Sequence, residues 1–278
     1  NRPGFGHQGP FDHDFLAHSL SAGRSAHPED ADWPWFDWLG LHAYDSFRAD
    51  WTGFEPADNG LPAKLRQGRT DDIRPCLLAN QDNIVGLVQN PRLNCANNPA
   101  AGYEREAEFA PLKPARIRQR VLVVGGGPAG LEAARVAALR GHRVILCERD
   151  SRLGGATRLA AAAPGRERLA LAVDWLEGQV RKLEVEVRTG VEMTAERVGQ
   201  EAPDAVIVAV GGRPGRQAGV RFHPNAPVVN PRQVMRGETP TTPGRAAILD
   251  TLGDQVGMAV AEWLAERGWQ VEVVTRDM

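Results

Sequence analysis

VLVVGGGPAGLEAA, residues 121–134, is the stretch of sequence that decides the fold. Its first four residues are Val or Leu and are followed by glycines, which is typical of a buried parallel strand. The Ala- and Leu-rich segment Leu131–Arg140 predicts a helix. Between strand and helix stands the pattern Gly125-x-Gly127-x-x-Gly130. These residues predict a strand–turn–helix unit.

Each glycine of this turn has a physical task. Gly125 allows the tight turn, Gly127 lets the backbone approach a pyrophosphate, and Gly130 lets the helix pack closely on the strand. The unpaired N–H groups at the helix start favour phosphates. A glycine triad alone also occurs in tight turns without a ligand, so the order of the neighbouring elements matters.

A carboxylate completes that order. Arg143–Cys147 predicts the next strand, and Glu148 ends it, 18 residues beyond Gly130 (148 − 130). At that place a carboxylate can accept hydrogen bonds from both hydroxyls of a ribose. Strand, triad, helix, strand and acid together predict an adenine-dinucleotide site. Because Glu148 would repel a 2′-phosphate, FAD, ADP or NAD is favoured over NADP.

The composition indicates a soluble globular protein. The 278 residues are 42% hydrophobic and 24% charged, with a formal net charge of −2. That charge gives no reason to expect nucleic acid or an anionic membrane as a partner. No apolar run approaches the roughly 20 residues that cross a bilayer, and the N-terminus lacks a secretory pattern. Three cysteines argue against a disulfide framework and favour a reducing compartment, the cytoplasm.

Strands alternate with helices from Arg116 onward, which predicts the α/β class with parallel sheets and helices on their faces. The elements expected after Glu148 are helix Arg166–Leu183, strands around Val185–Val187 and over Asp204–Val210, and a second unit of strand Ala246–Asp250, helix Val256–Arg267 and strand Gln270–Thr275. The expected regions are an irregular segment (1–60), a linker (61–115), a Rossmann-like FAD- or ADP-binding domain (116–243) and the start of a second nucleotide-type domain (244–278).

Residues 1–60 are rich in Gly, Pro, His and aromatic side chains and show no sustained period. Trp33, Trp35 and Trp38 are interpreted either as a local core or as an anchor into a partner subunit, since tryptophan is enriched at interface hot spots. The histidines of this segment match no zinc pattern and are interpreted as surface side chains: His7, His13, His18, His27 and His42.

Several runs of sequence carry a family resemblance. VLVVGGGPAGLEAA, CERDSRLGG, PGRERL and DAVIVAVGGRP resemble the FAD-binding half of flavoproteins with two dinucleotide folds. LPAKLRQGRTDDIRPC (61–76) and CANNPAAGYE (95–104) resemble the trimethylamine dehydrogenase and 2,4-dienoyl-CoA reductase group, relatives of old yellow enzyme. AAILDTLGDQVGMAVAEWLAERGWQVEVVTR resembles the start of their second nucleotide-type domain. The resemblance covers about residues 50–278.

The resemblance implies an oxidoreductase flavoprotein with FAD as cofactor, or ADP as the alternative, and a role in electron transfer. No catalytic residue is assigned, because in such proteins the flavin carries the chemistry and the protein positions it. The cofactor-binding residues that it implies are Gly125, Gly127, Pro128, Ala129, Gly130, Glu148, Arg149, Gly154, Gly155 and Gly211.

The iron–sulfur loop of that family is degenerate in this sequence. The family has a flavin-bearing barrel followed by Cys-x-x-Cys-x-x-x-Cys and a fourth cysteine downstream. Cys76 and Cys95 match the first and last ligands, but Ala79 and Asn83 stand at the middle two. Alanine offers no iron ligand, so no [4Fe–4S] cluster is expected. Gly53 aligns with the Arg that grips the FMN phosphate, so FMN is not expected in this chain.

The second turn, Asp250-x-x-Gly253-x-x-x-Gly257, lacks a full glycine triad. In this it resembles the amine dehydrogenases, whose electrons leave to a protein acceptor, more than the reductases that use NADPH, so no NAD(P)H site is assigned there. The barrel is mostly absent, and the chain stops before family members return to complete the first domain. The expectation is a fragment, or a chain that a flavin-barrel protein completes as a hetero-oligomer.

Two functions are therefore open. The chain is either a dinucleotide-binding subunit of a flavin-dependent oxidoreductase complex related to amine dehydrogenases and enoate reductases, or a non-catalytic scaffold subunit that retains ADP or FAD as a structural ligand.

Overall fold

The computed structural model describes residues 64, 66–77, 95–100, 112–213, 223, 225–240, 242–251, 253 and 255–275. The chain divides into two units, Asn1–Gln67 and Gly68–Met278. The first unit lies almost entirely outside the described residues, and so do the predicted tryptophan cluster and the N-terminal histidines. All elements below belong to the second unit.

Four parallel strands form a sheet in the order β3-β2-β1-β4. The strands are β1 (Arg120–Val124), β2 (Arg143–Glu148), β3 (Glu186–Thr189) and β4 (Ala205–Val208). Val121 of β1 pairs with Val144 on one side and with Ala205 on the other, so β1 is an inner strand. The strand order reverses between β1 and β4, and in open α/β sheets ligands bind beyond the carboxyl ends of the strands at such a point.

Five helices accompany this sheet in the described part of the chain. They are α1 (Pro128–Leu139), α2 (Gly155–Ala161), α3 (Leu169–Lys182), α4 (Ala195–Glu201) and α5 (Pro231–Met235). On one face of the sheet, Val123 and Leu146 pack with Leu131 of α1 and Val173 of α3. On the other face, Leu122, Ile145 and Cys147 are buried, and Val198 of α4 packs against them.

A second, two-stranded parallel sheet follows. It consists of strand β5 (Arg245–Asp250), helix α6 (Gln255–Ala265) and strand β6 (Gln270–Thr275). These elements repeat the strand–turn–helix–strand order of β1, α1 and β2. Val260, Trp263 and Leu264 of α6 are buried, with Val234 of α5 in the same cluster. The predicted α/β fold with parallel sheets is confirmed.

The linker docks on the helices of the first sheet. A 3-10 helix, Thr70–Asp72, places Asp72 2.8 Å from Nζ of Lys182, at the end of α3. Hydrogen bonds from Lys182 and Gln179 lower the pKa of the Asp72 carboxyl. Arg168 donates to the carbonyl oxygen of Cys76 at 2.9 Å. Residues 68–77 therefore pack against the dinucleotide-type domain.

The element boundaries differ from the predicted ones in two places that matter for the site. Helix α1 begins at Pro128, because proline is well suited to the first helical position, where a missing N–H costs nothing. Strand β4 ends at Val208, because its partner β1 ends at Val124 and offers no further ladder. The short helices α2, α4 and α5 have too few turns to show a period in the sequence. Among the described residues, no helix is both long enough and apolar enough to cross a lipid bilayer.

Candidate dinucleotide site

The glycine turn lies between β1 and α1, at the carboxyl edge of the sheet. Gly127 is the N-cap of α1, with φ −75° and ψ −179°, and no side chain caps the helix. A Cβ built on Gly127 would meet no atom within 4 Å. Among the described residues the start of α1 is thus open, and no capping side chain accepts the N–H groups of its first turn. Such an arrangement suits a phosphate group.

Gly125 and Gly130 are required by close packing. Gly125 has φ +109°, and a Cβ there would lie 2.3 Å from the carbonyl oxygen of Ala209. A Cβ on Gly130 would lie 1.8 Å from the carbonyl oxygen of Gly125. Both separations are far below van der Waals contact, so neither position accepts a side chain without backbone movement. The predicted tasks of these two glycines agree with the geometry.

Gly126 is a residue that the sequence reasoning missed, because the glycine pattern leaves its position open. A Cβ on Gly126 would lie 2.5 Å from Cδ2 of Leu153 and 2.9 Å from Cβ of Glu148. Its N–H donates to Oε2 of Glu148 at 2.6 Å, and its carbonyl oxygen accepts from the N–H of Gly154 at 2.8 Å. Gly126 therefore joins the glycine turn to the segment after β2. The run of three glycines was the available signal.

Glu148 makes two hydrogen bonds within the protein that its predicted role as a ribose acceptor does not include. The residue is 7% exposed, and each carboxylate oxygen accepts one backbone N–H: Oε2 from Gly126 and Oε1 from Asp150, the latter at 2.9 Å. An ionised carboxylate has about four lone-pair sites, so two remain for a ligand. The same carboxylate can fix the turn and accept hydrogen bonds from ribose hydroxyls.

Gly154 and Gly155 lie across from the glycine turn. Gly154 is the N-cap of α2 with φ +107°, and a Cβ on Gly155 would lie 3.5 Å from the Cα of Gly127. The two backbones thus approach each other at the open end of the site. Arg158 of α2 donates to the carbonyl oxygen of Leu153 at 2.6 Å and holds this loop.

The remaining predicted residues are more exposed. The side chain of Arg149 is 53% exposed, and its Nε lies 3.9 Å from Oδ1 of Asp150. Arg236, just after α5, places Nη2 3.2 Å from Oδ2 of the same Asp150. Two guanidinium groups therefore flank the loop that follows Glu148. Gly211, with φ +73°, lies in the exposed segment after β4.

The cysteines give no metal centre in the part of the chain that the structure describes. Cys76 and Cys95 are exposed, and Cys147 is buried in the core, where burial raises the pKa of its thiol. Among these described residues, no group of three or more His, Cys, Asp or Glu side chains could hold a metal ion. Ala79 and Asn83 lie outside the described residues.

The sequence profile of one family, described as pyridine nucleotide-disulphide oxidoreductase, matches residues 92–237, which is more than half of the chain. This chain belongs to the pyridine nucleotide-disulphide oxidoreductase family. The match includes the whole glycine turn, Glu148 and Gly211.

Relatives of this pyridine nucleotide-disulphide oxidoreductase domain include named oxidoreductases. An NADH oxidase from Thermoanaerobacter brockii is 40% identical over 221 residues, which cover 78% of this chain and 33% of the relative. An N,N-dimethylglycine/sarcosine dehydrogenase from Chromohalobacter salexigens is 35% identical over 231 residues, covering 80% and 33%. The solved structure of histamine dehydrogenase from Rhizobium sp. 4-9 superposes with a TM-score of 0.72 at 31% identity, covering 79% and 35%.

This pyridine nucleotide-disulphide oxidoreductase chain spans about a third of the length of the relatives that it matches. The matches place it among the flavin- and nucleotide-binding oxidoreductases.

Proposed function

We propose that this chain is the adenine-dinucleotide-binding part of a flavin-dependent oxidoreductase related to amine dehydrogenases and enoate reductases, and that it holds FAD. One observation carries the proposal. The start of α1 is uncapped and open at Gly127, and the buried Glu148 carboxylate lies beside it with lone pairs to spare.

The residues divide the ligand between them. The N–H groups of Ala129 and Gly130 bind the pyrophosphate. Pro128 is the first residue of the helix, where its lack of an N–H costs no hydrogen bond. Gly127 has no side chain and leaves room for the pyrophosphate. Glu148 accepts the ribose hydroxyls. The bound flavin would supply the redox chemistry, and the protein positions it.

Exposed groups complete the proposed site. Gly154 and Gly155 approach the ligand from the opposite loop, and Arg149 adds positive charge near the adenosine end. Gly211 lies in the segment after β4, at the switch point of the sheet. The proposed limits of this FAD-binding domain are residues 116–243, with the linker at 61–115 and the second nucleotide-type domain from residue 244.

The test is nucleotide retention by the full chain. Nucleotide released by heating the purified wild-type protein is identified by chromatography, and we expect one adenine nucleotide per chain. The variant Gly127→Val places a side chain where the pyrophosphate would lie, in a backbone conformation that valine adopts readily. We expect this variant to fold and to lose the nucleotide.

A matched control is Gly178→Val, which also adds a side chain in open space, on the exposed face of α3. It should retain the nucleotide. Wild-type protein that releases no adenine nucleotide and binds neither FAD nor ADP would contradict the proposed function.

A non-catalytic scaffold subunit that retains ADP or FAD as a structural ligand is the second candidate. Ala79 and Asn83 favour it, because they stand where two of the thiolates of an iron–sulfur cluster would be in the family pattern. A visible spectrum shows which ligand is bound, since FAD gives the yellow bands of an oxidised flavin and ADP gives none; a colourless protein that releases ADP would favour the scaffold. Three cysteines in a chain of 278 residues argue against a disulfide framework, so we place the protein in a reducing compartment, the cytoplasm.

We also propose that a flavin-barrel protein associates with this chain as a hetero-oligomer. Support comes from β4, an edge strand on which Val206 and Val208 are 40% and 71% exposed, with Val210 beyond it at 65%. An apolar edge is an association site in a soluble protein. Co-expression with a barrel-type reductase and light scattering after size exclusion would test this, and co-elution that is lost in Val208→Lys is the expected result. A well-folded monomer that never co-elutes would contradict it.

A further inference from the structure

The second sheet contains a turn that can be compared directly with the glycine turn. The third residue of each helix after the turn is a glycine, Gly130 in α1 and Gly257 in α6. Neither has room for a side chain, but the obstacle differs. A Cβ on Gly130 would meet the backbone of Gly125, whereas a Cβ on Gly257 would lie 2.8 Å from Oδ2 of Asp250. A carboxylate therefore lies against the start of α6.

Asp250 is held in this place by the fold. It is the last residue of β5 and is 8% exposed. Its Oδ1 accepts the N–H of Gly253 at 3.0 Å, inside the turn. The N–H groups of the first helical turn carry partial positive charge and attract an anion. At α6 that anion is part of the protein.

We infer that Asp250 occupies the place that the pyrophosphate of a nicotinamide dinucleotide would need, so the second sheet binds neither NADH nor NADPH. The name of the family implies a pyridine nucleotide, and the residues of this turn do not fit one. A buried carboxylate and a phosphate within about 4 Å repel each other strongly enough to weaken binding by about a hundredfold or more.

The inference goes beyond the proposed function, which concerns the first turn alone. Nicotinamide reducing equivalents do not enter at the second sheet, and the chain has one dinucleotide site among its described residues. Asp250 is a specificity-determining residue, because its charge decides which ligands α6 excludes.

The test uses the full chain with the first turn closed by Gly127→Val. NADH and NADPH are titrated into it, with binding followed by nicotinamide fluorescence and stoichiometry by equilibrium dialysis. We expect no saturable binding at millimolar nucleotide. One equivalent bound with micromolar affinity would overturn the inference. If Gly127→Val fails to fold, the same titration on wild-type protein saturated with FAD shows whether the second sheet binds NADH or NADPH.

A second measurement tests the role of the charge. Asp250→Asn keeps the size of the side chain and removes its charge, and Glu262→Gln makes the same change on the exposed face of α6. We expect Asp250→Asn to lower the melting temperature by several degrees and Glu262→Gln to leave it within about one degree. Equal melting temperatures would overturn the assignment of Asp250 as the helix anion. The proposed function is tested separately, by nucleotide retention at the first turn of the wild-type protein. A failure of the proposed function can therefore be told apart from a failure of this inference.

Discussion

At the scale of single residues, two helical glycines of this chain have opposite surroundings. Gly130 in α1 touches the backbone of Gly125, whereas Gly178 in α3 is exposed and faces open space. Alanine is intrinsically better than glycine in a helix by about 1 kcal/mol, so the surroundings alone decide the sign of a Gly→Ala substitution.

We predict opposite outcomes for the two substitutions. Gly130→Ala should destabilise the protein by about 3 kcal/mol or more, because a Cβ 1.8 Å from a carbonyl oxygen forces α1 away from the turn. Gly178→Ala should stabilise it by about 0.5–1 kcal/mol. Urea unfolding of both variants measures this. A Gly130→Ala protein as stable as the wild type would contradict the packing that the structure shows.

The sequence could predict two of these packing contacts and not the rest. The close packing at Gly125 and Gly130 was predicted from their spacing, because it depends only on the neighbouring strand and helix, whereas the role of Gly127 toward a pyrophosphate stays a prediction. The hydrogen bond from Gly126 to Glu148 could not be predicted, since it joins positions 22 residues apart in sequence, with α1 and most of β2 between them. The position of the Asp250 carboxylate at the start of α6 could not be predicted either, because an aspartate at the end of a strand has several common roles.

At the scale of elements, the linker is fastened to α1 and α3 by a cluster around Trp175. Arg74 lies 4.2 Å and Arg135 5.6 Å from the centre of the Trp175 ring. Both guanidinium groups bond the carboxylate of Glu132, Arg74 at 3.0 Å and Arg135 at 2.8 Å. Cationic groups over an aromatic ring and around one carboxylate give the linker a defined position.

This cluster predicts a pH dependence of stability. Burial alone would raise the pKa of the Glu132 carboxyl, but the bonds and charges of Arg135 and Arg74 outweigh burial and lower it below the ordinary value of 4.5. The stabilising contribution of a lowered carboxyl pKa is present above the unfolded value and is lost as pH falls through the folded one. Glu132→Gln should therefore melt several degrees lower than wild type near pH 7, and the gap should narrow below about pH 4.5.

Melting curves from neutral to acid pH measure this, with Glu262→Gln as the exposed control of equal charge change. A gap that stays constant down to the lowest pH would show that the charge of Glu132 does not hold the linker.

No sequence signal pointed to this cluster, since Arg74 and Glu132 are 58 residues apart and belong to no motif. A local signal did exist for α5, where Asn230 and Gln233 form a capping box.

At the scale of the whole molecule, the order of elements was the most predictable property. Alternating strands and helices require parallel pairing with crossovers, and the observed order β3-β2-β1-β4 follows that rule. The docking of the linker depends on long-range contacts that leave no periodic trace in the sequence.

The linker also carries a prediction about iron. Ala79 and Asn83 occupy the two middle ligand positions of the family pattern, between Cys76 and Cys95. We therefore expect anaerobically purified protein to contain neither iron nor acid-labile sulfide in stoichiometric amount, and Cys76→Ser to leave the visible spectrum unchanged. Stoichiometric iron would contradict this, and ligands such as Asp82 or Asn83 would then need to be tested.

The contact between Gly125 and Ala209 has a consequence for the timing of synthesis. A ribosome makes β1 and the glycine turn first, then β2 and β3, and only afterwards the strand that ends beside Ala209. Until that strand emerges, β1 lacks one of its two neighbours and Gly125 lacks the backbone against which it packs. If the chain holds FAD as proposed, we expect a nascent chain to bind it only after residue 209 has left the exit tunnel, which would make cofactor loading a late event in translation.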